Sequence, residues 1–180
     1  MVKYRRAALW AALFFSSFGF AWQTPFSGGL NIGGGVSKFS SKELGPQDTS
    51  SSWSLGTHLS WRTLEWLSFE PGLQFSKESD FSFATLPLLT KLSMPFDSGI
   101  EPYAFIGPYF SVAVSKASAG MKGFDFGSLQ GIGCFFPLSH RFGLNADLRF
   151  RVGAIDLDPI ESVSLRARSL QMNLAGVFPL

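Results

Sequence analysis

One cysteine, Cys134, in a chain of 180 residues excludes an intramolecular disulfide framework. Charge is also scarce. Only 16% of the residues are Asp, Glu, Lys or Arg, against about 25% in ordinary soluble domains. The 15 basic and 13 acidic residues leave a formal charge of +2, part of it at the extreme N-terminus, so no nucleic-acid partner is expected. No segment approaches the roughly 18 apolar residues of a membrane-crossing helix. Metal-ligand spacing is missing too: His140 has no Cys, His or carboxylate suitably placed, and no metal site is assigned. The glycines at Gly33–Gly35 and in Gly131-Ile132-Gly133 are followed by no helix, which excludes a dinucleotide loop. No cofactor is expected.

What the chain has is apolar surface, with 46% hydrophobic and 16% aromatic residues. Its first residues say where that surface is used. Lys3, Arg5 and Arg6 precede an apolar run from Ala7 to Phe15, and Gly19-Phe20-Ala21 supplies small residues at minus three and minus one of a cleavage site. That pattern reads as a secretory signal peptide over residues 1–21, leaving 22–180 as one domain. An exported chain with this composition and no spanning helix buries its apolar residues in a soluble core or turns them to lipid as a barrel.

Alternation is the evidence for strands. From Trp53 to Trp61 every odd position is apolar or threonine, every even one is small or polar, and an aromatic closes each end. Eight steps of about 3.3 Å, tilted by about 40°, rise about 20 Å, close to the apolar band of an outer-membrane barrel. The same period runs through Gly28 to Phe39, Leu67 to Ser76, residues 82–94 and 101–115, Phe124 to Phe136, Phe142 to Gly153, and a last segment ending at Phe178. Phe124 to Phe136 is the weakest, since Ser128 and Gln130 fall among Phe126, Ile132 and Phe136. The expected fold is all-β, an eight-stranded antiparallel up-and-down transmembrane β-barrel.

Links near 62–65, 95–99 and 137–141 are short, whereas 40–51, 117–122 and 155–163 are longer and more polar; Lys77 to Asp80 is a short exception. Short periplasmic turns and longer surface loops orient the chain, with Trp53 on the outer rim and Trp61 on the periplasmic rim; Phe142 joins them in an aromatic girdle. A soluble barrel of lipocalin type has the same period with the apolar face inward. Polar faces of Ser, Gly, Asn, Gln and Thr suit a filled lumen better than a water-washed surface. Pro71, Pro87 and Pro108 lie inside strands and should each mark a bulge or a break, because a closed barrel has no edge to accept a missing N–H.

From Gly29 to Phe178 the chain resembles the PorT-like outer-membrane β-barrel domain family. The resemblance rests on Gly29-Leu30-Asn31-Ile32-Gly33, Phe69-Glu70-Pro71-Gly72-Leu73-Gln74-Phe75-Ser76, Leu86-Pro87-Leu88-Leu89-Thr90-Lys91, Gly107-Pro108, and Asp125-Phe126-Gly127 followed by Gly131-Ile132-Gly133. It implies an eight-stranded barrel in the cell outer membrane of a diderm bacterium. The C-terminal strand departs from the usual aromatic ending, since Pro179 and Leu180 follow Phe178.

For chemistry, His58-Leu59-Ser60 puts an imidazole and a hydroxyl on one face of a strand, with Glu70 on the next. This resembles the His-x-Ser arrangement of outer-membrane lipid A deacylases, which carry Arg before the His and Asn after the Ser; Thr57 and Trp61 stand there instead. No catalytic residue is therefore expected, and the protein is read as a non-enzyme. His58, Glu70, Lys91, Asp147, Arg149 and Arg151 are expected to form a polar network filling the lumen. The function expected is structural, surface-interacting or adhesive. Its partners are outer-membrane lipid, the barrel-assembly machinery through the C-terminal strand, and an unidentified extracellular partner. Two alternatives stand beside it: a lipid A-modifying hydrolase using Ser60 and His58, and an exported soluble ligand-binding barrel.

Overall fold

Each alternating segment is a strand, and every strand pairs antiparallel with its neighbour. A computed structural model describes residues 25–41, 45–46, 49–78, 81–114, 124–154 and 165–180. The segment expected to be a signal peptide, 1–21, the links expected at 117–122 and 155–163, and much of 40–51 lie outside the described residues. The strands are β1 (Phe26–Ser41), β2 (Gly45–Pro46), β3 (Ser50–Leu64), β4 (Leu67–Glu78), β5 (Phe81–Ser93), β6 (Glu101–Ala113), β7 (Phe124–Ser139), β8 (Phe142–Gly153) and β9 (Leu165–Pro179). β2 is a two-residue return of the chain onto the end of β1, which the sequence pattern did not reveal. The other eight are the staves. An unbroken ladder from Ser27↔Pro179 to Ser41↔Leu165 joins β1 to β9, so the sheet closes on itself and leaves no open edge between the first and last staves.

Period two puts one set of side chains outside and the other inside, and exposure decides which. Outward positions are mostly apolar, with Leu30 at 65%, Ile132 at 64% and Met172 at 67% exposed. Inward positions are mostly polar, among them Ser54, Gln74, Glu78, Arg149 and Asn173, all buried. This is the reverse of a soluble ligand-binding barrel, whose exterior is wetted, and that alternative is set aside.

Two links expected from the pattern are shorter in the fold. Residues 62–64 belong to β3 and 137–139 to β7, leaving two-residue turns at Glu65-Trp66 and His140-Arg141. Register shifts between Arg62 and Leu64 and between Pro137 and Ser139 explain the difference. An irregularity of this kind changes the phase of the alternation, so the pattern stops being readable before the strand ends. The turn between β5 and β6 relies on Gly99, whose φ of 79° is costly for a residue with a Cβ.

The three prolines break ladders, and the breaks are contiguous. Pairing lapses at Leu59-Ser60 against Glu70-Pro71, at Gly72-Leu73 against Leu86-Pro87, and at Leu88-Leu89 against Gly107-Pro108. The interruptions therefore step across four adjacent strands, β3 to β6. On the outer wall beside them lies an apolar groove between Trp61, Phe69, Pro71 and Leu88.

Large rings fill the lumen beside glycines. Tyr103, Phe105 and Tyr109 on β6 stand directly opposite Gly133, Gly131 and Gly127 on β7. A Cβ at Gly131 would lie 2.5 Å from Phe105 Cζ, and one at Gly127 2.8 Å from Tyr109 Cε1. Rings packed over glycines supply the bulk those positions lack. Gly131→Val is expected to destabilise the barrel by about 1–3 kcal/mol through overpacking. Thermal loss of the fast-migrating folded gel band measures it, and a variant as stable as the parent refutes the packing.

Candidate functional site

The lumen is a stack of ion pairs, each built by residues that period two turns inward. At the loop end, Glu78 on β4 is fully buried and accepts Arg151 Nη2 at 2.5 Å from β8. Ser76 donates to the same carboxylate, and the Arg151 guanidinium lies over the Tyr109 ring, 5.4 Å from its centroid. The Tyr109 hydroxyl donates to Asp125 at 2.6 Å. Below them, Arg149 donates through Nε and Nη2 to both Asp147 oxygens at 2.7 and 3.1 Å; the two are inward neighbours on one strand. Tyr103 donates to Asp147 at 3.3 Å. On the far wall an amide layer closes the space, with Gln74 donating to Gln171 at 3.3 Å and Gln171 donating to Ser52 at 3.4 Å.

Toward the turn end, Lys91 donates to Glu70 at 3.1 Å and sits 3.9 Å from the Tyr103 ring centroid. Arg62 then spans to Glu101 with two bonds, at 3.2 and 2.6 Å. All four inward-facing cations on the described strands thus have a carboxylate partner. Pairing of this kind is what desolvated charges require, and Arg supplies the fork that a carboxylate matches.

A cavity of about 30 Å³ lies at the turn end, lined by Ser27, His58, Ser60, Arg62, Glu70 and Lys91 among others. His58 Nε2 is buried there with no hydrogen-bond partner among the described residues. A polar space of this size holds ordered water. His58, Ser60 and Glu70 do meet around this cavity, but no hydrogen bond joins them among the described residues, and the Glu70 carboxylate is engaged by Lys91.

The sequence-derived set of His58, Glu70, Lys91, Asp147, Arg149 and Arg151 all faces the lumen. Sequence reasoning missed Glu78, Arg62, Glu101 and the Tyr109–Asp125 bond. Glu78 and Arg62 each continue an alternation already noticed, one step past Ser76 and Ser60, but both fell in segments read as links.

The aromatic rims are separate from the plug. At the turn end Trp61 stacks on Phe26, centroids 6.2 Å apart at 13°, and approaches Phe69 at 6.4 Å. Phe142 meets Phe178 at 5.2 Å on the same rim. Trp53, 54% exposed, stands near the loop ends, and Trp66, absent from the sequence-derived girdle, is 52% exposed at the β3–β4 turn.

A closed antiparallel barrel with an apolar exterior, aromatic rims and a polar, ion-paired interior defines a class: the small eight-stranded outer-membrane β-barrel. Solved structures carry the same fold. Neisserial surface protein A superposes with a TM-score of 0.60 at 16% identity, over 87% of this chain and 98% of that one. The N-terminal β-barrel domain of Pseudomonas aeruginosa OprF gives 0.52 at 10% identity, over 83% and 97%. No family model matches the chain, and no curated protein does.

Proposed function

We propose that the protein is a structural, surface-interacting barrel of the outer membrane that neither conducts nor catalyses. One observation carries this reading: the lumen is occupied along its length by paired charges and aromatic rings, with Tyr109 and Glu78 fully buried at its loop end. An eight-stranded barrel is only wide enough for side chains to fill. Its contacts are then lipid around the wall, the barrel-assembly machinery at β9, and a surface partner at the loops. Membership of the PorT-like family belongs to the same proposal and is supported by the order of its motifs along the chain.

The expected result in planar bilayers is no stepwise conductance from the folded protein. Discrete, reproducible conductance steps overturn the plug.

The hydrolase reading keeps one supporting observation, the meeting of His58, Ser60 and Glu70 around one cavity. Incubating the folded barrel and its Ser60→Ala variant with lipid A, and following the acyl chains by mass spectrometry, separates the two. Loss of an acyl chain with the parent and not with the variant establishes the enzyme. An intact lipid with both leaves a non-catalytic barrel.

A further inference from the structure

On the outward faces of the described strands every charged residue is a cation, and all of them sit at the loop end. Lys77 on β4 and Arg168 on β9 are exposed there, and Lys38 on β1 is half-buried. The described outward positions of β5 to β8 carry no charge. These cations thus occupy one arc of the wall, across the neighbouring staves β9, β1, β3 and β4, with Trp53 on β3 directly opposite Lys77.

Within that arc, Lys38 and Arg168 are direct cross-strand partners. Side chains so placed have Cβ atoms about 4.5–5.5 Å apart, and like charges there destabilise the sheet. Neither Lys38 nor Arg168 has an ion-pair partner among the described residues. The lumen cations, by contrast, are each matched to a carboxylate. A repelling pair that no carboxylate of the described residues matches is balanced when an anion lies against it from outside the protein.

We propose that this arc binds a phosphorylated glycolipid of the outer leaflet, with one phosphate bridging Lys38 and Arg168 across the β1–β9 seam. The inference rests on the outer-membrane reading above, which turns the loop end toward the outer leaflet. Phosphate suits the site because its oxygens accept from both cations at once, Arg168 through its planar fork. Trp53 beside Lys77 offers an exposed aromatic face against which a sugar ring packs. The cations stand just beyond Val36 and Leu170, so acyl chains lie along the apolar wall while headgroup phosphates reach the basic arc.

The test compares the parent with a Lys38→Gln/Arg168→Gln double variant. Each is folded into phosphatidylcholine vesicles alone, or with a tenth part of bis-phosphorylated lipid A, dephosphorylated lipid A or phosphatidylglycerol. Stability is read as the temperature at which the fast-migrating folded gel band is lost.

In phosphatidylcholine alone the double variant should melt at or above the parent, because the repulsion is gone. With bis-phosphorylated lipid A the parent should rise by several degrees, and the variant should lose more than half of that rise. An equal rise in both proteins, or an equal rise from dephosphorylated lipid A or phosphatidylglycerol, overturns the proposal. Failure of the parent to yield any heat-modifiable band refutes the barrel itself, whereas a folded barrel without a phosphate-dependent rise refutes the lipid site alone.

Discussion

Glu78→Ala is expected to cost about 3–5 kcal/mol, the loss measured when one partner of a buried ion pair is removed. The cause is the cation left behind. Arg151 is 7% exposed, lies by the Tyr109 and Phe83 rings, and has no other carboxylate bonded to it among the described residues. Removing both charges with Glu78→Ala/Arg151→Met should recover most of the loss, because paired desolvated charges contribute little net stability. Urea titration of the folded gel band measures both variants. A single variant no less stable than the double one refutes a desolvated pair.

Leu148→Arg is expected to cost about 2–4 kcal/mol, the penalty for a cation facing hydrocarbon near the bilayer midplane. Leu148 lies mid-strand on β8 between Ile132 and Met172, and all three are substantially exposed on the outer wall. The matched control is Phe142→Arg, six residues nearer the turn end of the same strand and in the aromatic rim, where the penalty falls to about 0–1 kcal/mol. Equal losses at both depths, in barrels refolded into lipid vesicles, refute a lipid-facing wall.

Face assignment was legible in the sequence because it needs only local information. Period two along β8 separates Leu148 and Phe150 from Asp147, Arg149 and Arg151 without reference to another strand. Strand ends were less legible. The irregularities near Arg62 and Pro137 change the phase within two residues of a turn, and Arg62 and its ion pair with Glu101 were lost from view with them.

The weakest strand, β7, shows a different limit. Ser128 and Gln130 face outward and are exposed, although period and polarity alone leave their side ambiguous. What fixes the phase lies on β6, where Tyr103, Phe105 and Tyr109 need glycines opposite them and so turn Gly127, Gly131 and Gly133 inward. A requirement imposed by a neighbouring strand leaves little trace in the strand that obeys it. The pairing of Arg151 with Glu78, 73 residues apart, was illegible for the same reason. Alternation places both inside but does not say which acid meets which base.

The seam between β1 and β9 also governs how the molecule comes into being. Seven of the eight pairings between staves join segments that follow one another along the chain, so most pairing is a succession of local hairpins. Ser27 opposite Pro179 is the exception, a meeting of the two extremes of the domain. Contacts between distant residues form slowly, since the intervening chain has to be ordered before they reward it. Until that meeting the wall is a curved sheet with two raw borders, and its charged core is still open to water along the cleft. Resistance to protease, a dry interior and the final pairing of Arg151 with Glu78 should therefore be acquired together, in the one late step that joins the first strand to the last.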